Sequence, residues 1–115
     1  MGVIVIGEGI EDFGTASWFA RWVIRYCIGE VGERPYLVNF KNQYDWGYNC
    51  IYVDQLASAD LAEFAGLLHK FVLDFELDAP SYDREKFLAH AQHLSALVDT
   101  YVEKRKALGS TGAAE

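Results

Sequence analysis

The chain has 115 residues, of which 51 % are hydrophobic and 15 % aromatic, enough apolar side chain for one packed core and too much for a chain disordered throughout. Seventeen acids against ten Lys and Arg leave a formal net charge of −7, which excludes binding of DNA or RNA through cations clustered on phosphates. An acidic body of this kind stays soluble and draws cationic partners towards it.

In chain order, the β-branched run at 3–6 ends at Gly7 and Gly9 and predicts a short buried strand. The stretch GEGIEDFG at 7–14 then stands where a dinucleotide fingerprint would lie, between a strand and a helix. Asp12 occupies the place of the third glycine, and Glu8, Glu11 and Asp12 put negative charge where a pyrophosphate needs backbone donors. Those acids suit a divalent cation by ligand type, but the spacing of a Ca²⁺ loop is missing. The simpler expectation is that they lead into a helix N-terminus.

That helix is expected to start from Asp12 or Thr15 and to run to about Ile28. Trp18, Trp22 and Tyr26 form a row along it, Phe19, Val23 and Cys27 continue round it, and Arg21 and Arg25 mark the wet side. Alternation at 36–41 (YLVNFK) and at 48–53 (YNCIYV) predicts two strands joined as an antiparallel hairpin. Asp60 and Glu63 resemble a capping box before Leu61, Phe64, Leu68, Phe71 and Phe75 at helical spacing. A break at 78–81 precedes a last helix from Tyr82, with Phe87, Ala91, Leu94, Val98 and Tyr101 as its stripe. The predicted fold is α+β, a single domain over 1–108 in the order β-α-β-β-α-α, with a small sheet packed by three helices and a disordered tail at 109–115.

Candidate chemistry is sparse. His90 and His93 are three apart on one predicted helix, and His69 on the neighbouring helix would have to join them to hold a metal. No HExxH pattern and no cysteine pair accompanies them, so no metal or cofactor is expected. Cys27 and Cys50 form no spacing motif and are read as buried thiols of a reducing cytosol. A GxSxG elbow is absent, and the protein is read as no enzyme. MGVIVIGEG lacks the features of a secretion signal, and no apolar run reaches membrane-spanning length. A cytoplasmic location is expected.

The stretch NQYDWGYNC at 42–50 places Tyr44, Asp45, Trp46 and Tyr48 in a predicted connection between strands, where the core is least able to cover them. Acids are also concentrated, with Asp60, Glu63, Asp74, Glu76, Asp78 and Asp83 facing Lys70 alone between 56 and 83. In size, acidity and surplus of rings, the chain resembles the immunity proteins that neutralise bacterial toxins, although no sequence motif of such a family is present. The resemblance implies a tight complex with a cationic protein, such as a nuclease toxin, whose active site is masked. Tyr44, Trp46 and Tyr48 would be its anchors, and Asp45, Asp74, Glu76 and Asp78 would steer the encounter. The alternatives are a small metal- or ligand-binding, enzyme-like domain built on Glu8, Glu11 and Asp12 or on the histidines, and a structural subunit that forms a homodimer through the tyrosine-rich hairpin or last helix.

Overall fold

Strand β1 (Gly2–Val5) alternates, and Ile4 and Ile6 fall on its buried side at 1 % and 0 % exposure. The computed structural model describes residues 2–78 and 84–109, and the side chains among them except those of 76–78, 84, 108 and 109. After β1 the chain reverses through a turn in which the Ile10 amide donates to the Gly7 carbonyl (3.1 Å) and Gly9 has φ of 80°. It returns as β2 (Phe13–Thr15), antiparallel to β1 with Ile4 opposite Phe13. The dinucleotide-like stretch therefore makes a strand reversal and opens no helix, because Phe13 and Thr15 bury their side chains in the sheet.

Helix α1 (Ser17–Val31) follows, entered from Ala16 without a side-chain cap. The caps expected at Asp12 and Thr15 are thus displaced, since Thr15 belongs to β2. The buried face of α1 is Phe19, Ala20, Val23, Ile24 and Cys27, a helical stripe as expected. The larger correction comes next. Residues 36–41, expected as a strand, lie in helix α2 (Pro35–Asp45). Pro35 sits in its first turn, where a missing N–H costs nothing, and Tyr36, Leu37, Phe40 and Tyr44 form its buried stripe. The expected antiparallel hairpin does not exist. Strand β3 (Cys50–Tyr52) instead pairs parallel to β1, and the order across the sheet is β2-β1-β3. The fold is α+β, with a three-stranded mixed sheet and four helices among the described residues.

A short 3₁₀ turn (Val53–Gln55) leads to α3 (Ser58–Asp78), which packs antiparallel-fashion against α4 (Arg84–Gly109) as the main helix pair. Helix α3 begins ahead of the expected capping box, and Glu63 serves elsewhere, accepting a bond from Tyr36 Oη (2.9 Å). The expected disordered tail falls on 110–115, outside the described residues, whereas 109 is the last residue of α4.

The core lies between the helices and the inner side of the sheet. Phe19, Phe40 and Phe64 are fully covered, each contributing about 1.5–3 kcal/mol of burial. Their rings meet mostly edge to face, as Phe40 and Phe64 do at 5.6 Å and 74°. Arg105 of α4 clamps the 3₁₀ turn by donating to the carbonyls of Asp54 (2.8 Å) and Leu56. That clamp ties the 3₁₀ turn after β3 to α4.

Candidate partner-binding surface

The end of α2 determines what stands outside the core. Gly47 follows the helix with φ of 85°, a left-handed position that lets the chain turn away without a Cβ penalty. Asn49 takes φ of 54°, which asparagine tolerates because its side chain bonds locally; its Nδ2 donates to the Gly47 carbonyl (3.3 Å). The amides of Trp46 and Tyr48 donate to the carbonyls of Asn42 (2.8 Å) and Gln43 (3.0 Å). The Asn49 carbonyl accepts from Val3 (2.9 Å), so the turn is stitched to β1.

On this fixed backbone Trp46 and Tyr48 stand 66 % and 68 % exposed. Trp46 does not fold back onto the core. Ile51 and Val53 turn inward, and Tyr52 between them turns out, 45 % exposed. Register places Tyr52 beside Val5 and Cys50 beside Val3 on the outer side of the sheet, where Val3 and Val5 are half-buried. The Tyr52 hydroxyl is held above its ordinary titration range by a hydrogen bond and charge from Cys50, then by lost hydration, and then by the negative charges of Asp54 and Asp12. Tyr52 and the two carboxylates thus gather by Val5 at the end of β1, while Trp46 and Tyr48 stand by its beginning, where Val3 meets Asn49.

The residues expected as anchors and steering charges are divided by the structure. Tyr44 is 1 % exposed, with its hydroxyl pointed at the Val3 carbonyl (3.5 Å). It is a core residue and is removed from the anchor set. Asp45 lies between Arg21 (3.1 Å) and Lys41 (2.9 Å), which hold its carboxyl below the usual range, Lys41 first. Its charge is compensated at home. Asp74 accepts a bond from the Tyr26 hydroxyl, whose own proton is held more tightly through lost hydration and that carboxylate. The side chains of Glu76 and Asp78 lie outside the described residues.

Of the histidines weighed as metal ligands, His90 and His93 lie close together, both rings near Phe13 (4.4 and 5.9 Å), whereas His69 is engaged by Asp99. His69 bonds Asp99 (2.7 Å), His93 pairs with Glu11 (3.2 Å), and His90 bonds the Thr15 hydroxyl (2.8 Å). Among the described residues no group of three His, Cys, Asp or Glu side chains could hold a metal ion. Glu8, Glu11 and Asp12 likewise serve different neighbourhoods, with Lys104 bonding the Glu8 carbonyl and Asp12 acting on Tyr52. Tyr52, Asp12 and Asp54 were absent from the sequence-derived partner-binding set, Asp12 having been weighed only as a metal or ligand residue. The signal for Tyr52 was its place between two apolar neighbours in IYV, which sends it to the opposite side of a half-buried strand.

No described helix is long and apolar enough to cross a membrane. The chain matches no family model, no curated protein and no solved structure.

Proposed function

We propose that this protein is a binding module that neutralises a cationic protein, in the manner of an immunity protein masking the active site of a bacterial toxin. The observation that carries this reading is the pair Trp46 and Tyr48, held out to solvent on a turn whose backbone is hydrogen-bonded to α2 and β1. Large rings on a fixed backbone lose little conformational freedom on docking and bury much apolar area, which is the profile of an interface anchor. Tyr52 is a further exposed ring at the other end of β3, and Asp12 and Asp54 supply charge beside that ring. In a chain of net charge −7, these carboxylates attract a basic surface and speed encounter at low salt. The rings then slow dissociation.

The test is co-expression with the reading frame immediately upstream, followed by native mass spectrometry and growth measurement. A one-to-one complex with a basic protein, and rescue of growth from that protein's toxicity, is the expected result. Trp46→Ala with Tyr48→Ala should weaken the complex at least about thirtyfold, equivalent to about 2 kcal/mol, while circular dichroism stays unchanged. Full rescue and unchanged affinity in the double variant would remove this surface from the function. Absence of both complex and rescue with the wild-type chain would remove the immunity reading itself.

A further inference from the structure

A second feature, away from the aromatic turn, is an opening among the described residues. It is a cleft of about 800 Å³ between the end of β2, the first turn of α1 and the first half of α4, a size typical of small-molecule sites. Its walls are Trp18, Phe19 and Phe87. Trp18 stands edge-on to Phe87 at 5.2 Å and 79°, yet remains 50 % exposed. Its neighbour in the row, Trp22, is covered by Phe71 and Phe75 at 5.4 and 5.2 Å. Among the described residues Trp18 has Trp22 near-parallel to it at 6.4 Å and 26°, and the exposed half of its indole is open to a guest.

The polar groups of the cleft are few and of one electrical character. Thr15 and His90 meet at 2.8 Å within its lining. His90 is held below its ordinary titration range by burial, then by the charges of His93 and Lys86, so it stays neutral near pH 7. Lys86 lines the cleft and forms no ion pair among the described residues. Ala16 and Ser17, also in the lining, begin a 15-residue helix that has neither a side-chain cap nor an acid in its first turn. An ammonium without an ion pair among the described residues and an uncapped helix start give this cleft a positive bias in a chain of net charge −7.

We infer that the cleft binds a small amphipathic carboxylate of the arylalkyl type, its ring against Trp18 and Phe87 and its carboxylate at Lys86. The apolar walls ask for a hydrophobic body, and the charge selects an anion over an alcohol or an amine. The volume leaves room for a ring carrying a short chain. This site is independent of the aromatic turn, and its failure would leave the protein-binding reading untouched.

The test is an amide and indole NMR titration of the intact chain with phenylbutyrate, and with the alcohol and the amine of the same carbon skeleton. Phenylbutyrate should shift Thr15, the Trp18 indole, Phe87 and His90, and should bind about fivefold tighter than the alcohol, with the amine weaker still. Lys86→Met should bring the carboxylate to the affinity of the alcohol and leave the alcohol unchanged. Phe87→Trp or Phe87→Leu keeps the core filled and should alter all three affinities together. Equal binding of the three probes overturns the charge assignment. Shifts centred elsewhere, or no saturation by about 10 mM, overturn the site.

Discussion

Tyr44 and Trp46 are two residues apart, yet one ring is sealed in the core at 1 % exposure and the other stands 66 % exposed in solvent. The end of α2 separates them: Tyr44 completes the buried helical stripe, and Trp46 already occupies the C-cap. Their substitutions should therefore read out on different scales. Tyr44→Ala empties a ring-sized space and is expected to cost about 3–5 kcal/mol of folding stability by urea unfolding. Trp46→Ala should stay within about 0.5 kcal/mol of wild type. Tyr44→Phe removes only a long hydroxyl contact to Val3 (3.5 Å) and should cost under about 1 kcal/mol. Comparable losses for both alanine variants would contradict this division of the two rings.

A second prediction concerns the turn after β1. A methyl group on Gly7 would overlap the Tyr101 ring of α4, and that ring is itself held by a bond from Arg105 to its hydroxyl (3.0 Å). Gly7→Ala should destabilise by about 1–3 kcal/mol, as overpacking does in a filled site. Adding Tyr101→Leu should recover part of that loss relative to Tyr101→Leu alone, because the two changes share one space. Strict additivity in this cycle would show that the methyl and the ring do not meet.

The cycle tests a contact between residues 94 positions apart in sequence, and such contacts mark where sequence reading stopped. The long stripes were legible. Phe64, Leu68, Phe71 and Phe75 on α3, and Ala91, Leu94 and Val98 on α4, are buried as their spacing implied. The segment 36–41 misled because Tyr36, Val38 and Phe40 satisfy a period of two while Tyr36, Phe40 and Tyr44 satisfy a helical one. Pro35 at the helix start was the arbiter. β2 has three residues, one of them glycine, too short for any period to speak. Trp46 and Tyr48 were legible as surplus rings. The partners of Asp45 and Asp74 were not, since Arg21 and Tyr26 approach them from another helix.

The two cysteines should differ sharply in reactivity. Cys27 is fully buried on α1, and burial first, then the charges of Glu63 and Glu30, pushes its thiol up to about 12. The reactive thiolate is scarce there, and reagent cannot reach it without unfolding. Cys50 is half-buried on the edge strand β3. Native protein treated with iodoacetamide at pH 8 should gain one adduct, mapped by peptide mass spectrometry to Cys50. Cys27 should react only in denaturant. Equal labelling of both in native buffer would contradict the burial of the inner face of α1.

The last prediction is a pH dependence assigned to His90. Its imidazole bonds Thr15 (2.8 Å) and packs on Phe13 and Phe19 at 4.4 and 4.8 Å. Burial, then the charges of His93 and Lys86 on its own helix, lowers its affinity for a proton below the ordinary value of 6.5. The unfolded chain therefore binds this proton more readily than the folded one. Stability from the neutral ring is fully present above about pH 6.5 and is lost as pH falls from there through the lower native value. His90→Gln keeps a donor for Thr15 and has no such titration. Between pH 7.5 and pH 5.5, wild type should lose more unfolding free energy than the Gln variant, measured by urea unfolding at each pH. The difference between the two proteins isolates His90 together with its interaction with His93. A wild type that gains stability relative to the variant on acidification would mean that the folded environment of His90 favours its charged form, opposite to what its apolar neighbours and Lys86 dictate.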